Sequence, residues 1–298
     1  MASPSSYTLT YRHRLPVRLM HWINVLSLTI LFMSGLHIFN AHPALNWGAS
    51  SYTDRPAVFE ISAEEGDDED ADPPTKTKVH GTTNILGHEF DTTGFLGARL
   101  KADGGTDTNA FPLWMTIPGS YSLAEARNWH FFFAWLFVIN GVLYLLYSFI
   151  SGHVRRDLAP TGPELRGIGT SIKDHVRFKH PVGAAATRYN VLQKLTYLIV
   201  IFILLPLIIL MGMAMSPGLD ALLTGWVDLF GGRQSARTIH FVVAWLLVAF
   251  VLIHVFEVII SGLFNHMRSM ITGYFRIESE PVIAAPATVA TPAQGDQS

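Results

Sequence analysis

The chain has no cysteine among its 298 residues. That excludes a disulfide framework, a thiolate-held iron–sulfur cluster, haem attached through C-x-x-C-H and any cysteine-ligated zinc site. A metal centre must therefore draw its protein ligands from histidine, carboxylate, methionine or tyrosine. Charge is scarce as well. Only 15% of residues are charged, where soluble domains carry about a quarter. With a formal net charge of −2, no nucleic-acid partner is expected.

What is present is apolar surface, at 49% of residues, and it comes in blocks rather than in periods of two or 3.6. Four blocks, at about 20–40, 129–151, 195–215 and 238–260, reach the roughly 20 residues that span a bilayer. The third, "LTYLIVIFILLPLIILMGMAM", carries no charge, and Pro206 within it predicts a tolerated kink. Trp22, Trp47, Trp129 and Trp226 fall near block ends, as interfacial aromatics do. The expectation is a multi-pass protein of a bacterial inner membrane, in contact with lipid.

Basic residues set the orientation. The start, the 152–194 connection and the C-terminal tail hold 13 of the 21 Lys and Arg, so both termini are expected in the cytoplasm. Arginines precede the first block as in a signal peptide, but no clear cleavage site follows, and the block is expected to be retained. Residues 41–127 then face outward. They include "EISAEEGDDEDADPP", with eight carboxylates between Glu60 and Asp72. This stretch reads as a solvated, partly mobile acidic loop, with a docking surface or a calcium site as alternatives. Residues 276–298 read as a disordered cytoplasmic tail, which leaves 1–275 as one transmembrane domain with the acidic insertion.

Two of the blocks open alike. "ARNWHFFFAWLFV" and "ARTIHFVVAWLLV" align without gaps as A-R-x-x-H-F-x-x-A-W-L-x-V, matching Arg127 with Arg237 and His130 with His240. The first block has a fainter version, "RLMHW", with Arg18 three residues before His21. Even-numbered helices run inward, so His130 and His240 share a depth near the outer face. His254 follows His240 by 14 residues, roughly 40° short of four full turns and about 21 Å further along the same side. His21, at the start of the oppositely directed first helix, shares that inner depth. Two cross-helix pairs result: His130 with His240, and His21 with His254.

Stacked bis-histidine pairs in a four-helix bundle suit two non-covalent b-type haems, each iron taking one axial imidazole from each of two helices. Arg18, Arg127 and Arg237, one turn before a ligand, are candidate propionate partners. Taken singly, a membrane histidine is more often a hydrogen-bonded structural group, a proton relay or a transport ligand. His37 lies about 160° round its helix from His21 and reads as a rim or quinone-pocket residue. His153 and His266 read as interfacial, and His42, His80, His88, His175 and His180 as loop residues.

The chain resembles the cytochrome b subunits of membrane-bound nickel–iron hydrogenase, formate dehydrogenase and thiosulfate reductase. The resemblance covers roughly 10–40 and 126–275. It rests on "RLMHW", "NWHFFFAW", "RYNVLQKLTY", the His240-x13-His254 pair and "FNHMRSMITGYF". It implies two haems b, exchange of electrons with the quinone pool, and anchorage of a periplasmic oxidoreductase. A molybdenum enzyme is the first expectation for that partner, with hydrogenase or formate dehydrogenase beside it. "RYNVLQK" is similar to the Y-N-x-x-Q-K segment of formate dehydrogenase members, which implies that Asn190 lies near quinone beside the inner haem. Those members have glycine where this chain has Leu192, so the pocket is expected to be narrower or displaced. Physically, Tyr189, Asn190, Gln193 and Lys194 offer hydrogen bonds to quinone carbonyls and a route for protons; the alternative is a polar helix cap.

The sequence thus predicts an all-α membrane protein, a four-helix bundle around two b-type haems, with cytoplasmic termini and no need for catalysis of its own. Two other functions are set against it. One is a self-contained quinol-dependent oxidoreductase acting on a small acceptor such as superoxide. The other is a histidine-based transporter of protons or divalent metal.

Overall fold

The computed structural model describes residues 7–51, 56–67, 77–101, 104–119, 121–177 and 190–278. β1 (Tyr7–Tyr11) leads into α1 (Leu15–Asn40), the first long helix. The next segment forms β2 (Ala44–Leu45), β3 (Phe59–Asp67), β4 (Thr77–Ile85) and β5 (His88–Asp91), then a short pair, β6 (Arg99–Leu100) and β7 (Thr106–Asp107). α2 (Leu123–Ile150) follows, with α3 (Gly162–Arg166) and α4 (Ile168–Val176) in the connection after it. α5 (Val191–Ile199) and α6 (Leu205–Ala214) join through a π-helical turn at Val200–Leu204 into one spanning segment. After α7 (Pro217–Leu222) come α8 (Arg233–Ile260), α9 (Leu263–Thr272) and β8 (Tyr274–Glu278).

Among the described residues, four helices are long and apolar enough to cross a membrane: Leu15–Asn40, Leu123–Ile150, Val191–Ala214 and Arg233–Ile260. Each begins several residues before its apolar block, because a polar first turn precedes the hydrocarbon stretch. In α2 that turn is capped by Ser122, whose hydroxyl accepts from the Glu125 N–H at 3.3 Å. Pro206 lacks an N–H and crowds the preceding turn, and the chain answers with the widened turn at Val200–Leu204 instead of a break.

The bundle is two layers. α1 lies along α2, and α6 lies along α8, while the layers touch little across the middle. Polar groups fasten the first layer. Buried Asn140 on α2 donates to Met20 O at 2.9 Å and to Asn24 Oδ1 at 2.7 Å on α1. In the second layer Val200 packs with Val243 and Leu247, and Met211 and Ala214 pack with Ala236.

The 41–127 segment corrects two expectations. The fold is mostly helical rather than all-α, and the acidic run is not simply a loop. β2, β3, β4 and β5 form an antiparallel four-stranded sheet, and Glu60 and Glu64 sit in β3. Its strand character comes from alternation. Phe59, Ile61 and Ala63 share one face, with Ile61 1% exposed, while Glu60 and Glu64 face water. His80 and His88, read as loop residues, lie in β4 and β5. Residues 68–72 of the run, Tyr189, His180 and the tail from 279 lie outside the described residues. Strand β8 runs to Glu278, three residues past the expected end of the domain.

The sheet is sewn to the bundle. Asn40 and Phe111 exchange hydrogen bonds, Asn40 Nδ2 to Phe111 O at 2.9 Å and Phe111 N to Asn40 Oδ1 at 2.7 Å. Phe39, Phe111 and Phe241 cluster beneath it. The Gly48 carbonyl accepts from Gln234 N and Ser235 N, which satisfies two orphan donors at the start of α8. At the opposite end β1 pairs with β8, so the two ends of the described chain close a hairpin over the bundle. The two ends are called here the sheet end and the hairpin end.

Candidate functional site

α8 carries a histidine toward each end, and each meets a ring from the other layer. At the sheet end the His130 and His240 rings lie 6.3 Å apart, centroid to centroid, inclined at 60°. At the hairpin end the His21 and His254 rings lie 6.4 Å apart, also at 60°. The remaining histidines do different work. Buried His37 uses Nδ1 on Pro118 O at 2.9 Å, which ties α1 to the loop before α2. His153 pairs with Asp157 at 2.6 Å.

The surroundings of the two pairs differ. His130 Nδ1 sits 3.0 Å from Ser34 Oγ, and His240 Nδ1 sits 2.9 Å from Ile208 O. A carbonyl only accepts, so His240 carries its proton on Nδ1 and leaves Nε2 free. Two glycines make room: a Cβ at Gly35 would lie 3.5 Å from His130 Cε1, and one at Gly212 would lie 3.3 Å from His240 Cε1. At the hairpin end, Trp22 meets His21 edge-on and Phe250 stacks on His254. Among the described residues, buried His21 Nδ1 has no hydrogen-bond partner.

The three arginines occupy different settings. Arg237 donates to Ala44 O at 3.1 Å and to His42 O, and lies over the Phe39 ring, so it clamps the outward segment to α8. Exposed Arg127 lies over Phe131. Arg18 Nε and Trp22 Nε1 both donate to Met270 O, at 3.4 and 3.2 Å. Arg12, Arg18, His13 and His266 gather around the His21–His254 pair. Burial first, then the Arg12 guanidinium, pushes His13 down to about 4, so it is neutral at pH 7.

The polar cluster at the start of α5 is occupied. Asn190 Oδ1 accepts from Gln193 N at 2.9 Å, and Gln193 Oε1 accepts from Asn190 N at 3.2 Å, a reciprocal cap. Buried Lys194 donates to Glu164 Oε1 and Oε2 at 2.8 and 3.0 Å. That ammonium, together with the Thr161 N–H, holds the Glu164 carboxyl down at about 2.

Comparison with known proteins places this arrangement. The family model described as prokaryotic cytochrome b561 matches residues 12–273. The chain belongs to that family. A relative from Cupriavidus necator, named as a Ni/Fe-hydrogenase B-type cytochrome subunit, is 22% identical over 288 residues, covering 92% of this chain and 90% of the relative. A relative from Azospira oryzae, named as the protein-methionine-sulfoxide reductase subunit YedZ1, is 33% identical over 133 residues. That match covers 45% of this chain and 64% of the relative. No solved structure matches.

This cytochrome is thus a haem-binding electron-transport protein of a bacterial membrane, and its histidine pairs can be tested against b-type haem. A metal–imidazole bond of about 2 Å, plus about 1.1–1.2 Å from nitrogen to ring centre, puts two axial rings about 6.3 Å apart across one iron. Both pairs have that spacing. The described residues contain no group of three or more metal-type side chains. Each pair brings two imidazole rings together and no third such side chain among the described residues. Sequence reasoning missed Ser34, the Ile208 carbonyl, Arg12 and His13. The glycines were the available signal, since Gly in a helix costs about 1 kcal/mol and Gly35 and Gly212 lie within spanning helices, toward their sheet ends.

Proposed function

We propose that this cytochrome is the membrane electron-transfer subunit of a respiratory oxidoreductase, carrying two b-type haems on the pairs His130–His240 and His21–His254. One observation carries the reading: two independent histidine pairs, each with one member on α8, share the same spacing, 6.3 and 6.4 Å, and that spacing suits an iron between the rings. Bound haem supplies reversible one-electron exchange. The chain's own residues do the rest. α8 supplies a ligand to each site and so fixes their separation. Ser34 and Ile208 orient the sheet-end imidazoles, and the basic cluster of Arg12 and Arg18 accepts carboxylates at the hairpin end. Arg127 and Arg237 stand as the corresponding groups at the sheet end.

The sheet end faces outward in this reading, where it receives an oxidoreductase partner, and the hairpin end faces the cytoplasm. Both relatives are named as subunits of oxidoreductases, which supports a partner of that kind. Quinone exchanges electrons near the hairpin end. Asn190, Gln193 and Lys194, with Tyr189, are its candidate partners once the cap and the Glu164 ion pair are exchanged for the headgroup. A transporter is less well supported, because a transported ion would find only two ligands at each pair.

The test is haem per polypeptide by pyridine haemochrome on the wild type, His240→Ala and His254→Ala. Two haems b are expected in the wild type and one in each variant. Folded wild-type protein without haem would sink the reading.

A further inference from the structure

We propose that the two haem sites are built unequal, with Ser34 setting the sheet-end site at a lower redox potential than the hairpin-end site. The inference rests on the reading above, that each histidine pair ligates a haem. Its starting point is the different use of Nδ1 at the two ends.

At the sheet end both imidazoles spend that nitrogen. His240 donates to Ile208 O at 2.9 Å. His130 faces Ser34 Oγ at 3.0 Å, and the direction of this bond can be worked out. The Ser34 hydroxyl has one proton, and two groups that can only accept lie within its reach, Ile30 O at 2.7 Å and Leu31 O at 3.2 Å. His130 Nδ1–H is therefore the donor and Ser34 Oγ the acceptor, which leaves Nε2 as the ligating atom.

A hydrogen bond from Nδ1–H shifts electron density into the ring and makes Nε2 a stronger donor. A stronger axial donor favours ferric over ferrous iron, which lowers the potential. The hairpin end lacks this support. Among the described residues, buried His21 Nδ1 has no hydrogen-bond partner, and His254 meets the rings of Phe250 and His21.

The order of potentials has a consequence for the partner. Electrons run downhill from the sheet end to the hairpin end, inward across the membrane. The membrane potential, negative inside, opposes that movement, and a lower outer site offsets the opposition. The arrangement therefore fits a partner of dehydrogenase type, which oxidises its own substrate and hands over electrons one at a time. At the hairpin end, a quinone collects two electrons and two cytoplasmic protons and leaves as quinol.

The experiment is a potentiometric titration, followed in the visible spectrum, of the full-length haem-loaded protein in detergent. The samples are wild type, Ser34→Ala, Ser34→Thr and His254→Ala. Two components are expected in wild type. Ser34→Ala raises the lower component and leaves the upper one in place, Ser34→Thr restores it, and His254→Ala retains the lower component alone. Should Ser34→Ala lose a haem outright, the lower component must be the one that disappears. The proposal is overturned if His254→Ala retains the upper component, or if Ser34→Ala shifts neither component or only the upper. A wild type without haem is a different failure: the haemochrome count detects it before any titration, and it removes the haem reading itself.

Discussion

At the sheet end, α8 starts beneath main-chain clamps: Gly48 O caps its first turn, Thr238 Oγ1 donates to Asn46 O at 2.8 Å, and Arg237 reaches Ala44 O and His42 O. At the hairpin end, α8 simply runs into α9, and closure comes from the β1–β8 ladder, whose side chains Tyr7, Leu9 and Tyr11 are about half exposed. The first end is specified by single residues reaching across the sequence. The second relies more on repeated backbone pairing, which is indifferent to most side chains, with Arg18 and Trp22 on Met270 O beside it. One end of the bundle should therefore be brittle to substitution and the other forgiving.

A glycine at each end gives the sharpest contrast. Gly232 has φ +98° and ψ 170°, a region open essentially to glycine, and a Cβ there would meet the Gly48 carbonyl carbon at 2.6 Å. Gly273 has φ +90°, but its added Cβ would first meet the movable edge of Tyr11 at 2.6 Å. Gly232→Ala should cost at least about 3 kcal/mol, or prevent assembly, and Gly273→Ala about 1–2 kcal/mol. Thermal unfolding in detergent checks both, and equal losses would break the contrast. Arg237→Ala comes next, leaving two carbonyls without donors, for about 2 kcal/mol. Asn140→Leu, in the layer shared by both ends, should cost about 1 kcal/mol, since hydrogen bonds between membrane helices average below that.

Smaller effects belong to the hairpin side. The Glu164 carboxyl titrates at about 2 when folded, against an ordinary 4.5. A depressed carboxyl contributes its stability above the ordinary value and loses it as pH falls toward the folded one. Lys194→Met should therefore flatten the loss of stability between pH 4.5 and 2, and an unchanged acid profile would mean that the ion pair contributes nothing. Leu9→Ser, on exposed β1, should stay within about 0.5 kcal/mol. A larger loss would show the hairpin to be as side-chain-dependent as the sheet.

The sequence showed the four spanning helices because twenty apolar residues in a row have few other uses. It also showed which rings meet, because helix periodicity carries His240 and His254 to one side and topology supplies the depth. The sheet was hidden by its own charge: the density of carboxylates around Glu64 masked the alternation of Phe59, Ile61 and Ala63. The support of the sheet-end rings was hidden for another reason. Ile208 acts through its carbonyl, which every residue has, and Ser34 sits in an apolar helix where serine is unremarkable. The cap formed by Asn190 and Gln193 has a recognisable spacing, yet the same residues suit a quinone, and spacing alone does not choose between them.

Because α8 bears His240 toward one end and His254 toward the other, the interval between the two ring pairs belongs to one covalently continuous rod. Loosened packing can part the rings of either pair without stretching that interval. With a haem on each pair, as proposed, the tunnelling distance between the centres would be insulated from the breathing of the bundle, while occupancy of each centre would not. One extra residue between His240 and His254 would turn the far imidazole by about 100°, separating the hairpin-end pair and sparing the sheet-end pair.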